Sequence, residues 1–321
     1  MSDSMQTAEV TSQAAGAVSP TPAVSIVLVS FNSRKDLEPC IDSIFSAGIN
    51  APFEVIIVDN GSQDGTPELV RRRYPLARLI ESKTNTGFAG GTNRGVAVSQ
   101  GDFILLLNND TLVNGDAINR LVDFMRSTPD AGAAGGKLLN PDGSFQAGYA
   151  HFSSLSQELL ISLQVGERLW RGYPSHCDSA SAKAVDWINA ACLLVRRCAF
   201  AELGGLDEDY FMYSEEVDFQ FRLKHAGWNV YYLPGVHTIH YGGRSQDRWR
   251  RRRMVYRGKI LFYRKNYRRA SELALRMMLA SVSAAKLTVW AAARVLGLLP
   301  DRAEKEFDSN REVLALCVRP K

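Results

Sequence analysis

A carboxylate at the end of a buried strand is the first place where this chain could do chemistry. Ile104-Leu105-Leu106-Leu107 runs directly into Asn108-Asn109-Asp110-Thr111. Consecutive apolar residues bounded by turn-formers read as a strand buried on both faces. Asp110 then falls at the carboxyl edge of a sheet, where open α/β sheets bind ligands. An acid there suits a divalent cation that completes its shell with substrate phosphates. The competing reading is a turn or N-cap, with Asp110-Thr111 leading into the next helix.

Other polar segments should reach the same edge. Asp59-Asn60-Gly61-Ser62-Gln63-Asp64-Gly65 follows the apolar run Phe53 to Val58. An Asp in such a loop can accept a hydrogen bond from the N3–H of uracil or thymine. Asn85 to Asn93 holds Gly87, Gly90 and Gly91 just before a helix. Glycines let backbone approach a ligand closely, and a helix N-terminus favours phosphate. Neither the Gly-x-Gly-x-x-Gly fingerprint nor the Gly-Lys-Ser/Thr loop occurs there, and a plain turn is the alternative. Downstream, Glu215, Glu216 and Asp218 follow the aromatic group Phe211 to Tyr213. They form either a solvated helix start eased by the helix dipole or a partly buried acid raised toward a useful base. His237 and His240 precede glycines and a basic run, where a His can ligate metal, touch phosphate or serve the fold.

The elements that would position these residues alternate. Strands are expected at 25–30, 53–58, 77–81 and 103–107, and helices at 36–47, 66–74 and 90–99. Such alternation predicts an α/β fold with a mainly parallel, doubly wound sheet. Further on, an apolar stretch is expected at 185–195, helices at 197–203 and 217–226, and a strand at 228–233. The stretch 145–182 is irregular and reads as an acceptor-facing loop.

The chain has 321 residues, 45% of them hydrophobic, ample for one large α/β core or for one domain plus an appendage. Residues 1–22 lack an apolar run and read as a disordered leader. Five scattered cysteines fit a reducing compartment better than a disulfide framework. The net charge of +4 hides an asymmetry: 244–269 holds twelve Arg or Lys and one acid, a net of +11, leaving about −7 elsewhere. After it, 271–299 reads as one long helix. Arg276, Lys286 and Arg294 share a narrow stripe beside a wide apolar arc. That pattern suits a helix lying in a membrane interface, or one that caps the core or pairs two copies. The longest uncharged run, Met277 to Ala285, is short for a membrane span.

Taken together, the chain resembles the family 2 inverting glycosyltransferases of the GT-A fold, especially the rhamnosyltransferase-like branch. The resemblance covers about 23–245. Its landmarks are Val-Ser-Phe-Asn at 29–32, Val-Asp-Asn-Gly-Ser-Gln-Asp-Gly-Thr at 58–66 and Asn-Thr-Gly-Phe-Ala-Gly-Gly-Thr-Asn-Arg-Gly at 85–95. Leu-Leu-Asn-Asn-Asp-Thr at 106–111, Phe-Met-Tyr-Ser-Glu-Glu-Val-Asp at 211–218 and His-Tyr-Gly-Gly-Arg-Ser at 240–245 complete the set. The resemblance implies a pyrimidine contact at Asp59 and further donor contacts at Asn32, Asn60, Asp64, Gly87, Asn93, Asn108 and Asn109. It implies Mg²⁺ or Mn²⁺ on Asp110 and His240, the general base at Glu216, and an orienting or acceptor-binding acid at Asp218. Two departures stand out. The acidic pair is Glu215-Glu216 where the family usually has Asp second, and Trp187-Ile188-Asn189-Ala190-Ala191 replaces a Gly-Ala step beneath the acceptor.

The expectation is therefore a GT-A domain at 23–245 and a basic, amphipathic helical region at 246–321. Its donor would be dTDP-rhamnose or a UDP-sugar, and its acceptor a lipid-linked or growing cell-surface glycan. Residues 246–299 would hold it peripherally on the inner face of the cell membrane, with a homo-oligomer as a further option and no nucleic-acid partner. A non-catalytic sugar-nucleotide or glycan-binding module is the main alternative, disfavoured because a binder needs no base. A nucleotidyltransferase is disfavoured because Ser30 to Lys35 is glycine-free.

Overall fold

The computed structural model describes residues 21–163, 165, 181–242 and 248–318. The expected leader up to residue 20, much of the irregular stretch and the Gly243–Ser245 end of the histidine motif lie outside the described residues. The first half alternates as expected: β1 (Val24–Ser30), α1 (Arg34–Ser46), β2 (Phe53–Asp59), α2 (Thr66–Arg73), β3 (Arg78–Glu81), α3 (Gly87–Ala97) and β4 (Phe103–Asn108). Then come β5 (Thr111–Val113), α4 (Gly115–Ser127), β6 (Ala131–Leu139), β7 (Phe145–Gln146), β8 (Tyr149–Ala150) and α5 (Leu155–Leu163). After the next described stretch opens come β9 (Lys183–Val185), β10 (Trp187–Ile188), β11 (Cys192–Arg196), α6 (Arg197–Glu202), α7 (Glu215–His225) and β12 (Asn229–His240). Three helices end the chain: α8 (Arg248–Asn266), α9 (Arg269–Val295) and α10 (Pro300–Val318).

The main sheet runs β3-β2-β1-β4-β11-β6-β12-β5. The pairs β1–β2, β1–β4, β2–β3 and β6–β12 are parallel, while β11 runs antiparallel between β4 and β6. Side chains alternate across each strand, so one strand feeds two cores. Ile26, Leu28, Leu105 and Leu107 join Leu37, Ile41 and Ile118 on one face. Val27, Ile104 and Leu106 join Ala89, Phe200 and Phe219 on the other. Helices therefore cover both faces, which is why the strands read as continuous apolar runs.

The strand order turns back at β1, with β2 on one side and β4 on the other. Ligands bind at such switch points, outside the carboxyl ends of the strands. The register pairs Ser30 with Asp59 and Val29 with Asn108, so the polar ends of β1, β2 and β4 lie level.

The expected C-terminal helical region forms α8–α10, which pack on the rest of the chain. Ile260, Phe262, Leu275, Leu279 and Val313 form a third core with Tyr210, and Phe152, Val217 and Phe221 pack against it. Much of the basic block is satisfied locally: Arg252 pairs with Glu306 and Arg253 with Glu312, both at 2.7 Å.

The basic stripe of α9 also corrects the expected orientation. Arg276 donates to the Cys317 carbonyl at 2.8 Å and Lys286 to the Ser162 carbonyl at 2.6 Å, so both face protein rather than lipid headgroups. Between Arg269 and Arg294 the exposed positions are all uncharged, Leu273, Met277, Ser281, Ala284, Thr288 and Val289 among them. By length and composition α9 could cross a bilayer. Cys40, Cys192, Cys198 and Cys317 are free thiols.

Candidate active site

Asp59 ends β2 and is only 2% exposed. Its Oδ2 accepts from the Gly61 and Ser62 N–H groups at 3.1 and 2.9 Å. Its Oδ1 is buried and has no hydrogen-bond partner. A buried carboxylate oxygen without a donor is costly, and a ligand N–H would relieve that cost.

The neighbouring loops clamp Asp59 in place. Asn32, at φ 49°, accepts from the Gln63 N–H through its side chain at 2.8 Å, while its own N–H donates to the Ser62 hydroxyl. Asp64 accepts from the Arg34 N–H at 2.9 Å and from the Thr66 hydroxyl at 2.6 Å. Burial alone would raise the Asp64 carboxyl, but these hydrogen bonds outweigh it and hold the group below its ordinary value. Asn60 is spent internally, donating to the Gly87 carbonyl at 2.9 Å and accepting from Thr86 at 3.2 Å. It ties the β2 loop to the glycine loop.

Gly87 opens α3 at φ +77°, and a Cβ there would lie 2.0 Å from the Phe211 carbonyl oxygen. Only glycine lets the 211–214 turn dock on this helix start, where the Phe88 N–H donates to the same carbonyl at 2.8 Å. Asn93 likewise braces the second half of the chain. Its amide donates to the Leu206 carbonyl and to Glu208, and its oxygen accepts from the Leu206 N–H.

The tip after β4 divides its work. Asn109 donates to the Val29 carbonyl and the Ser33 hydroxyl, fastening the β1 loop. Asp110, 6% exposed, brings Oδ1 within 3.3 Å of His240 Nε2, and Asn108 Nδ2 lies 3.4 Å from the same nitrogen. Burial would raise the Asp110 carboxyl, yet the His240 hydrogen bond and charge prevail and lower it.

Gln146 of β7 settles the histidine tautomer. Its Nε2 donates to Asn140 Oδ1 at 2.8 Å and to the His240 carbonyl at 3.0 Å. Its Oε1 must therefore be the acceptor that meets His240 Nδ1 at 2.6 Å. Nδ1 therefore carries a proton, and Nε2 is the nitrogen that meets the Asp110 carboxylate. A proton on Nε2 makes this contact an ion pair, and with Nε2 unprotonated its lone pair and the carboxylate would be two ligands for a cation. Among the described residues no cluster of three His, Cys, Asp or Glu side chains forms a closed metal cage. One carboxylate and one imidazole do fit a metal that draws its other ligands from substrate phosphates and water. Gln146→Ala is expected to weaken Mn²⁺ binding about 10–100-fold, as loss of a partner behind a metal-binding His does, read by Mn²⁺ titration. Unchanged affinity would remove Gln146 from the site.

Facing this tip is the turn before α7. Tyr213 and Ser214 have φ 71° and 77°, two consecutive non-glycine residues in left-handed conformation. Such strain persists only where surrounding structure imposes it. Here α8 does so: a Cβ on Gly258 would lie 2.5 Å from the Tyr213 carbonyl. The turn delivers Glu215 and Glu216 to the first turn of α7. Each has a buried Oε2 without a partner. Burial raises both carboxyls, and the Glu216 charge raises Glu215 further. The Tyr213 phenol is raised by burial, eased by Arg251 and raised further by the charges of Glu215, Glu216 and Asp110.

Asp218 lies apart from the cleft acids. It is 1% exposed and bonded to Arg222 at 2.8 Å, Asn266 at 2.7 Å and Tyr210 at 3.3 Å. Its oxygens are occupied by an anchor between α8 and α7, the helix that carries Glu216. Gln146 and Tyr213 are the residues that sequence reasoning missed. Tyr213 sat inside a landmark motif, whereas nothing local to Gln146 points to His240.

The chain matches the family model described as glycosyl transferase family 2 over residues 25–187. It is 32% identical over 243 residues to the N-acetylglucosaminyl-diphospho-decaprenol L-rhamnosyltransferase of Mycobacterium tuberculosis (strain ATCC 25618 / H37Rv), covering 71% of this chain and 79% of that protein. It is 26% identical over 237 residues to the low-salt glycan biosynthesis hexosyltransferase Agl10 of Haloferax volcanii, covering 73% and 72%. The fold is similar to that of the mannosyltransferase PcManGT from Pyrobaculum calidifontis, solved in complex with GDP-Man and Mn²⁺. The TM-score is 0.56 at 16% identity, over 94% of this chain and 88% of that one.

Proposed function

This chain belongs to glycosyl transferase family 2, and on that premise we propose that it is an inverting transferase acting on a dTDP- or UDP-sugar. Rhamnose is the favoured sugar, supported by the Mycobacterium relative. The acceptor is a lipid-linked or growing glycan. As a hexosyltransferase the chain needs a base, which the binding-module reading leaves without a purpose.

The observation that carries the proposal is the facing pair Asp110 Oδ1 and His240 Nε2, 3.3 Å apart at the end of β4. Asp110, His240 and their Asn108 neighbour would hold Mg²⁺ or Mn²⁺. When bound, that cation neutralises charge on the departing diphosphate. Asp59 Oδ1 would take the N3–H of the pyrimidine. Glu216 would remove the proton from the acceptor hydroxyl. That oxygen then forms a bond to the anomeric carbon from one face, while the bond to the diphosphate breaks on the other. One carboxylate suffices for such a single displacement.

A panel of sugar nucleotides, assayed for binding and slow hydrolysis with Mn²⁺, with Mg²⁺ and with EDTA, tests this reading. A pyrimidine-linked donor is expected to be chosen, with turnover lost in EDTA. Selection of a purine nucleotide would contradict the role of Asp59, and full activity in EDTA that of Asp110.

Attachment to a membrane surface through 246–299 is part of the same reading. Its support is the uncharged exposed face of α9, where Leu273 and Met277 are 50% and 57% exposed. At 1.5 Å per residue that helix is about 40 Å long, enough to lie along an interface. Leu273→Glu with Met277→Glu is expected to reduce partition onto anionic lipid vesicles by about tenfold or more, since burying each side chain is worth roughly 1.5–3 kcal/mol. Equal sedimentation of variant and parent with vesicles would rule this face out. Deleting 246–321 is a poorer test, because it also removes Gly258 from behind the Tyr213–Ser214 turn.

A further inference from the structure

We propose that the cavity between α5, α7 and α8 is the acceptor site, and that it takes a lipid diphosphate, with Arg248 and Arg251 holding the diphosphate. This deepens the transferase reading and rests on it. The cavity measures about 690 Å³, within the range of small-molecule sites. Ser214 and Val217, which flank Glu215-Glu216 in the chain, both line it. Trp187, which stands near the expected Gly-Ala step, lines it from β10.

The wall has two chemistries. Ile161, Val255 and Phe262 give it an apolar side. Lys259 also lines it, but its ammonium is bonded to buried Glu158 at 2.6 Å. Arg248 and Arg251 differ. Both are exposed, and their described partners are aromatic rings, Trp249 and Tyr213. They lie three residues apart on α8, so their side chains share one face. Paired guanidiniums on one face match phosphate oxygens, for which Arg is suited. A phosphate-free sugar would use neither the arginines nor the apolar wall.

The apolar side also continues outward. Helix α5, which contributes Ile161, carries exposed Leu159 and Leu163. The Ser162 carbonyl of α5 accepts from Lys286 of α9, the helix with the uncharged exposed face. A prenyl chain arriving along that face would thus meet apolar surface before its diphosphate reached the arginines.

Geranyl diphosphate, titrated against the full chain in EDTA, is the probe. It is expected to bind and to quench tryptophan fluorescence, with geraniol binding more weakly by about tenfold or more, since hydrogen bonds to charged groups are worth about 1.5–3 kcal/mol. Arg248→Ala with Arg251→Ala should abolish that preference, and Ile161→Asp should weaken geranyl diphosphate without restoring geraniol. Equal binding of the two probes by the parent chain, or an unchanged preference in the double arginine variant, would overturn the proposal. Nucleotide-sugar binding in Mn²⁺, measured on the same variants, separates the two levels. Its retention beside lost prenyl-diphosphate binding supports the site. Its retention with prenyl-diphosphate binding unaffected overturns the site while the transferase reading stands.

Discussion

Glu216→Gln is expected to lower the rate of sugar transfer by about 10²- to 10⁴-fold, the usual contribution of a general base, while donor binding stays near the parent value. Gln keeps the size of the side chain and its amide cannot take a proton. Glu215→Gln is the companion variant. Glu215 is the more buried of the two, at 4% exposure, and its carboxyl is raised by burial and by the Glu216 charge. Both carboxyls are raised by burial. The base works only when deprotonated, so activity should fall with decreasing pH through a midpoint above the ordinary carboxylate range. The same shift sets a stability effect of known sign. A carboxyl raised by folding stabilises the native state at low pH, and that contribution is lost as pH rises through the raised value. Glu216→Gln removes a buried charge and should therefore melt no lower than the parent chain at neutral pH. A lower melting temperature together with lost activity would instead assign Glu216 a structural role.

Asp110→Asn should cost on the order of 10³-fold in transfer, corresponding to several kcal/mol of charge stabilisation at the departing diphosphate. The geometry sharpens the expectation. Gln146 holds a proton on His240 Nδ1, so in the neutral ring Nε2 presents its lone pair. An amide at position 110 can turn its NH₂ toward that nitrogen and satisfy it without any metal. The variant should thus fold normally and bind Mn²⁺ far more weakly, while its nucleotide affinity in EDTA matches the parent. Loss of nucleotide binding in EDTA as well would mean that Asp110 supports the loop rather than a cation.

The residues differ in how plainly the sequence announces them. Ile104 to Leu107 was legible because a strand buried on both faces must be apolar throughout, and its end then locates Asp110. Ala131–Leu139 was not, because alanine and glycine carry little strand preference. Its place is set by close packing: a Cβ on Gly135 would lie 2.7 Å from the Ile188 side chain, and one on Gly136 would lie 2.4 Å from the Val236 carbonyl. The strand expected at 228–233 continues past Pro234 to His240. A register shift between Leu233 and His237 absorbs the proline and carries His240 to Asp110. The roles of Asn93 and Asp218 depend on partners 113 and 48 residues away, Leu206 and Asn266, which no local pattern reveals. The basic block of α8 read as part of a membrane-surface region because its counter-ions, Glu306 and Glu312, lie far along the chain on α10.

The anomeric configuration of the product tests the central claim most directly. A single displacement with Glu216 as the only catalytic carboxylate requires that the new glycosidic bond have the configuration opposite to that of the sugar in the nucleotide donor. The one-bond carbon–hydrogen coupling at the anomeric centre, read by NMR on the isolated product, reports it. The account predicts inversion; retention would contradict it, because it demands either a second displacement or a front-face transfer.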